Sequence, residues 1–141
     1  MVNRNVVSAK LAELAVRVAR VRLHAKPTSE ELSKNVDALD LVAFNLMVAV
    51  QICADVASHL IADAGWPAAS TLADSFVRLY EHGVLSEASA RALGRAAGLR
   101  NVVAHGYSGV DPKHLHTAAT DGVKDLDRFA SEVAAWLSTQ S

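Results

Sequence analysis

The sequence predicts an all-α fold, a single-domain bundle of about five helices that covers residues 1–141. Hydrophobic residues make up 51% of the chain and aromatic residues only 5%, so the core must consist mainly of Ala, Val and Leu. Such a composition favours packed helices over a β-sandwich. Apolar positions recur at steps of three and four, as along one face of a helix, and no alternating strand pattern occurs.

The first two predicted helices are both long. The first runs from about Val2 to His24 and carries one apolar stripe, and Thr28 could then cap a helical turn in the connection over residues 27–34. The second runs from about Val36 to Asp63 and carries two apolar stripes. One consists of Leu39, Val42, Leu46, Val50, Cys53, Ala57 and Leu60, and the other of Leu41, Phe44, Val48, Ile52 and Val56.

A helix that is apolar on two sides is buried on two sides. In a chain of 141 residues, the second side of the long central helix can face a second copy of the same protein. We therefore expect a homodimer that forms through the central helices. The alternative is a central helix enclosed within a monomeric bundle.

The three remaining helices have recognisable ends. The third begins after Ser70 and ends at Gly83, in the left-handed conformation that glycine favours. The fourth has Ser86 as its N-cap and runs to about His105. The last begins at residues 111–112, an Asp-Pro pair in which the cap precedes a proline at the first helical position.

Several classes of protein are excluded by composition. Cys53 is the lone cysteine, so an internal disulfide and a cysteine-based zinc site are ruled out, and its place on an apolar stripe predicts a core residue. No uncharged run approaches the ~20 residues that span a bilayer, and the first residues do not resemble a signal peptide. We expect a soluble, cytoplasmic protein with no membrane partner.

The net charge of −1 argues against non-specific binding of nucleic acid by the whole surface. The charge is unevenly spread, however, because residues 88–116 contain four basic side chains, one acidic side chain and three histidines. A local patch that attracts phosphate is therefore possible within this segment.

The stretch that carries chemistry is residues 99–107. Arg100 and His105 are five residues apart, which on a continuous helix separates them by about 140°. Gly106 permits a turn at the helix end, so both side chains could converge there. The helix C-terminus favours a protonated imidazole and Arg100 opposes it, which balances His105 near neutral pH for proton transfer. The alternative is a surface pair in which His105 bonds a carbonyl of the last turn.

An arginine and a histidine suit RNA cleavage, because RNA supplies its own nucleophile, the 2′-hydroxyl. The enzyme then has only to move protons and to neutralise the charge that develops on the phosphate. We expect no metal and no other cofactor. Since one histidine cannot easily act as both base and acid in a single step, a two-fold dimer could bring two such pairs into one cleft.

Residues 100–107, Arg-Asn-Val-Val-Ala-His-Gly-Tyr, resemble the signature of HepT-type proteins of the HEPN superfamily, and the resemblance covers nearly the whole chain. It implies a metal-independent endoribonuclease toxin that acts as a homodimer with its cleft at the subunit interface. The matching positions make Arg100 and His105 catalytic, and Asn101 would orient the pair or the substrate. Tyr107 would be the tyrosine that an MntA-like nucleotidyltransferase antitoxin modifies with AMP from ATP.

The second helix departs from this family at Phe44 and Asn45, where many relatives carry a charged pair. Asp55 is then the remaining polar candidate on that helix, either as an interior group or as a surface carboxylate. Possible RNA contacts elsewhere are Arg95, Lys113, His114 and His116.

A metal site at His114 and His116 is disfavoured, because residues two apart do not meet on a helix. The alternative function for the whole chain is a non-catalytic, nucleotide- or partner-binding subunit of a nucleotidyltransferase complex.

Overall fold

The computed structural model describes residues 2–104 and 111–140, and within these ranges the chain is helical with no strand. The helices are α1 (Arg4–His24), α2 (Ser29–Lys34), α3 (Val36–Ala64), α4 (Leu72–Glu81), α5 (Glu87–Ala104), α6 (Pro112–Thr117) and α7 (Val123–Ser138). One π-helical turn, Ala118–Gly122, joins α6 to α7. The predicted all-α bundle is confirmed, and the short α2 is the helix beyond the expected five.

The helix starts follow from local capping. The side-chain oxygens of Thr28, Ser86 and Asp111 each accept a backbone N–H two or three residues further on, at 3.1, 3.2 and 2.9 Å. Each bond satisfies one of the N–H groups that the first turn of a helix leaves without a partner. The first helix begins two residues later than expected, because Asn3 accepts such a bond and fixes the start of α1 at Arg4.

The last predicted helix begins at Pro112 as expected, but a π-helical turn interrupts it in its middle. The hydroxyls of Thr117 and Thr120 donate to the carbonyls of Lys113 and His116, at 3.0 and 2.9 Å. Such bonds compete with the backbone N–H groups that a regular helix would direct at the same carbonyls. The π turn at Ala118–Gly122 relieves this competition by widening the helix locally.

Helix α3 is the centre of the bundle. It packs against α1, α4 and α5, while α7 lies against α1 and α5. By length and composition α3 could cross a membrane, but 61% of its most apolar stretch is buried within the bundle, as expected of a core helix. Cys53 is fully buried on α3, and burial raises the pKa of its thiol well above the usual range, so it is a core residue as predicted.

The second apolar stripe of α3 is buried along only part of its length. Ile52 and Val56 are 3% and 0% exposed, whereas Leu41 and Val48 are half-buried and Phe44 is 50% exposed. The prediction of two-sided burial is therefore confirmed for the second half of the helix. The remaining residues, Leu41, Phe44 and Val48, form an apolar surface that we call the Phe44 face.

A carboxylate on α7 fixes the start of α5. Glu132 accepts the backbone N–H of Ser86 at 2.9 Å. Partial burial raises the pKa of Glu132, but hydrogen bonds from Ser86 and Ser89 and the charge of Arg128 outweigh that effect and lower it below the usual value. The carboxylate is thus charged at neutral pH and holds α5, which carries the candidate site, against α7.

Two glycines give a matched pair of stability predictions. Gly83 has φ +77°, whereas Gly98 lies within α5 and an added Cβ there would meet nothing within 4 Å. We expect Gly83→Ala to lower the free energy of unfolding by about 1–2 kcal/mol, because side chains are strained in that conformation. Gly98→Ala should raise it by roughly 0.5–1 kcal/mol through its higher helix propensity.

Urea unfolding of both variants measures these changes, provided that the denaturant slope stays constant. A midpoint of Gly83→Ala at or above that of the wild type would contradict the assignment of Gly83 to a left-handed helix end.

Candidate functional site

Arg100 lies near the C-terminus of α5, with its side chain directed at α3. Its Nη1 donates to Oε1 of Gln51, and its Nη2 donates to Oδ1 of Asn101 at 3.2 Å. Both acceptors are amide oxygens, which carry no formal charge. They fix the position of the guanidinium without neutralising it, so its positive charge remains available to an anion.

Gln51 is itself held by a carboxylate on its own helix. Its Nε2 donates to Oδ1 of Asp55 at 3.0 Å, and Oδ2 of Asp55 lies 3.6 Å from Nζ of Lys10. This chain of polar contacts connects α5, α3 and α1. Asp55 is 40% exposed at its side chain, so it is neither an interior group nor a free surface carboxylate but the partly buried support of Gln51.

Gln51 is a site residue that the sequence did not reveal. Between Leu41 and Ala54 the α3 sequence contains two polar residues, Asn45 and Gln51, and this isolation is the signal that could have singled them out. Gln51 belongs to the site because it accepts a hydrogen bond from Arg100, which is 49 positions away in the chain. No local pattern encodes that contact.

Asn45 makes a similar contact further along α3. It is 2% exposed, its Nδ2 donates to the Leu41 carbonyl at 2.8 Å, and its Oδ1 accepts from Nη1 of Arg17 at 3.1 Å. The Arg17 guanidinium also lies 5.8 Å from the centre of the Phe44 ring. The uncharged pair Phe44 and Asn45 is thus matched by an arginine from α1.

Two of the predicted site residues, His105 and Tyr107, lie outside the described residues, as does Gly106. The described part of α5 ends at Ala104, immediately before His105. Of the four residues of the predicted motif, the structure therefore describes Arg100 and Asn101.

The four predicted RNA contacts separate into different environments. Arg95 and His114 line the same cavity, between α5 and α6. Lys113 is exposed in the first turn of α6. His116 points elsewhere, since its Nε2 lies 2.9 Å from the carbonyl oxygen of Lys26. Over residues 2–104 and 111–140, no cluster of three His, Cys, Asp or Glu side chains could hold a metal ion.

The family is identified by sequence. The model of the HepT-like ribonuclease family matches residues 12–133, which is most of the chain. The chain belongs to the HepT-like ribonuclease family. A protein of Archaeoglobus fulgidus named "Putative RNase" is 32% identical to this HepT-like chain over 82 residues. That alignment covers 56% of the chain and 59% of the relative, so the match spans little more than half the length of either protein.

Solved structures share the fold of this HepT-like chain. A toxin–antitoxin complex with AMP-PNP superimposes with a TM-score of 0.87 at 18% identity, covering 94% of this chain and 99% of that one. The tri-AMPylated HEPN toxin of Shewanella oneidensis, in complex with the MNT antitoxin, gives 0.86 at 19% identity and the same coverage. The cytosolic protein YutE of Bacillus subtilis, of unknown function, gives 0.83 at 15% identity, covering 98% of this chain and 92% of that one.

Proposed function

We propose that this HepT-like protein is a metal-independent endoribonuclease toxin in which Arg100 and His105 cleave RNA. The observation that carries the proposal is the guanidinium of Arg100, which is held at the end of α5 by the uncharged oxygens of Gln51 and Asn101. An arginine fixed in this way is suited to bind a phosphate. Its family signature supplies a histidine five residues later in the chain.

The reaction needs only RNA, Arg100 and the His105 side chains of two subunits. The 2′-oxygen bonds to the adjacent phosphorus, the bond from phosphorus to the 5′-oxygen breaks, and a 2′,3′-cyclic phosphate and a 5′-hydroxyl result. His105 transfers a proton, and Arg100 neutralises the charge that develops on the phosphate. Asn101 positions the guanidinium and the substrate. The second proton transfer falls to the histidine of a second subunit.

The Phe44 face supports a homodimer. Phe44 is 50% exposed on the central helix, and Arg17 of α1 is positioned beside its ring. Burial of such a ring against its counterpart across a two-fold axis removes apolar surface from water, which stabilises association. The same axis would bring two copies of the Arg100 site into one cleft, since Gln51 continues the exposed edge of α3 beyond Val48.

Control by an MntA-like nucleotidyltransferase antitoxin is the regulatory part of the proposal. It is supported by structural neighbours that are toxin–antitoxin complexes, one of which contains an AMPylated HEPN toxin. Tyr107 follows His105 by two residues. AMP on its phenol oxygen would add bulk and negative charge close to the site that binds phosphate, and so repel RNA.

The test of the active site is RNA cleavage by the purified chain in the presence of a chelator. Arg100→Ala and His105→Ala should each lower the rate by about 100-fold or more, because they remove charge stabilisation and proton transfer. Arg91→Ala and His59→Ala are matched controls on exposed positions of α5 and α3 and should cleave normally.

Cleavage that persists in His105→Ala would remove this residue from the mechanism. A wild-type chain that leaves RNA intact but forms a stable complex with a nucleotidyltransferase would instead identify a non-catalytic binding subunit.

Gln51→Glu tests the importance of an uncharged partner for Arg100. The new carboxylate would pair with the guanidinium and cancel its charge, so we expect at least tenfold slower cleavage. The dependence of RNA affinity on salt should also weaken, by about 0.7 in the slope of log K against log salt, which corresponds to one lost phosphate contact on a single strand. Gln140→Glu, remote from Arg100, adds the same charge as a control.

A loss of activity in Gln51→Glu with an unchanged salt slope would mean that Gln51 acts only through the packing of α3 and α5. Circular dichroism of the variant separates that outcome from unfolding.

Mass spectrometry of the protein co-expressed with a nucleotidyltransferase antitoxin tests the modification. We expect mass increases in steps of one adenylate and loss of RNA cleavage in the modified sample. Tyr107→Phe should abolish the increases, because it lacks the acceptor oxygen. Tyr80→Phe, at the other tyrosine of the chain, should retain them. Adenylates that persist in Tyr107→Phe would place the modification elsewhere.

A further inference from the structure

A cavity of about 620 Å³ lies between α3, α5 and the segment from α6 to α7. Its walls are mostly aliphatic and are formed by Leu46 and Val50 of α3, Leu93 and Leu99 of α5, and Leu126 of α7. Sites for small molecules are typically apolar cavities of about this size with a few polar groups at fixed positions. The volume is sufficient for one nucleotide.

The polar groups of the cavity carry both signs of charge. Arg95 contributes a guanidinium, Asp121 and Asp125 contribute carboxylates, and the imidazole of His114 also lines the cavity. Asp125 is fixed by Arg128, whose Nη2 donates to it at 3.0 Å while its Nε donates to the buried Ser89 at 2.8 Å. Asp121 is held only loosely, since Nζ of Lys124 is 3.9 Å away and both side chains are 75% exposed.

The π turn forms one wall of this cavity. Ala118, Asp121 and Gly122 belong to both the turn and the cavity lining. Short π-helical turns within α-helices are frequent at functional sites, because they shift the side chains that follow. Here the turn brings Asp121 and Asp125 to the cavity.

The cavity and the candidate active site share two helices. Leu99 in its wall immediately precedes Arg100, and Val50 immediately precedes Gln51. The two wall residues and the two residues that follow them lie on the same pair of helices, α3 and α5. Both partners of the contact between Arg100 and Gln51 thus follow a cavity wall residue in the chain.

We propose that this cavity binds a nucleobase of the RNA beside the cleaved phosphate and selects bases that carry an exocyclic amino group. The apolar walls accommodate the faces of a flat ring, and the carboxylates of Asp121 and Asp125 accept hydrogen bonds from an amino group. Arg95 and His114 are placed to contact the phosphate of that nucleotide. Uracil is disfavoured, because its two carbonyl oxygens flank its single N–H and are repelled by a carboxylate. This inference rests on the proposed ribonuclease function.

Binding of mononucleotides tests the cavity without any cleavage step. Methyl NMR of the wild-type chain would follow Leu46, Val50 and Leu126 during titration with AMP, CMP, GMP, UMP and ribose 5-phosphate. We expect these methyl signals to shift with the three amino-bearing nucleotides, to shift less with UMP, and to stay in place with the ribose phosphate. Unmoved methyl signals, or equal shifts with all five compounds, would overturn the inference even if the protein cuts RNA.

Mapping of cut sites on a defined RNA then tests the role of the cavity in the reaction. Arg95→Gln should weaken RNA binding several-fold, up to about tenfold, because it removes a charged phosphate contact. Arg91→Gln, one turn earlier on α5 and paired with Glu87 at 2.8 Å, should bind as the wild type does. Asp121→Asn should relax the preference against uracil among the cut sites.

The outcomes separate the two proposals. A wild-type chain that shifts its methyl signals with CMP but cuts no RNA would overturn the ribonuclease function and not base binding. Cut sites that stay identical in wild type and Asp121→Asn would overturn base selection by this cavity and not the catalytic role of Arg100.

Discussion

The packing of α1, α4 and α5 around α3 limits which polar groups the centre of the molecule can hold. From Leu41 to Ala54 the central helix contains no charged residue, and its two amide side chains each accept a hydrogen bond from an arginine of a neighbouring helix. Asn45 accepts from Arg17 of α1, and Gln51 accepts from Arg100 of α5. At the buried position of Asn45 an unpaired carboxylate would be costly, whereas an amide oxygen can be satisfied by one donor. Gln51 is exposed, and its amide holds Arg100 at the edge of the bundle.

Because both acceptors are uncharged, each guanidinium keeps its positive charge. A carboxylate partner would bind each guanidinium more strongly but would cancel its field. With Gln51 in place, the nearest carboxylate of the contact chain is Asp55, and it is joined to the other end of the amide and paired with Lys10. Arg100 is therefore oriented by an uncharged group, and the balancing charges lie one residue further from the place where a phosphate would bind.

The sequence allows the helices to be predicted well, because their ends depend on local chemistry. Thr28, Ser86 and Asp111 each accept a hydrogen bond from within the next three residues. The π turn escaped prediction, because the balance between threonine hydroxyls and backbone N–H groups is not visible in apolar periodicity. Gln51 was not predicted as a site residue, because its role depends on a contact with Arg100, 49 positions away in the chain.

The cavity and the Arg100 contact together define the kind of ligand that fits. A small anion would satisfy Arg100 but leave the apolar walls beside Leu99 empty, and an apolar molecule would fill those walls but make no contact with the exposed carboxylate of Asp121. A ligand that meets both demands has phosphates at regular intervals and flat rings with amino groups between them. Single-stranded RNA has this pattern, and its unstacked bases can enter a protein cavity.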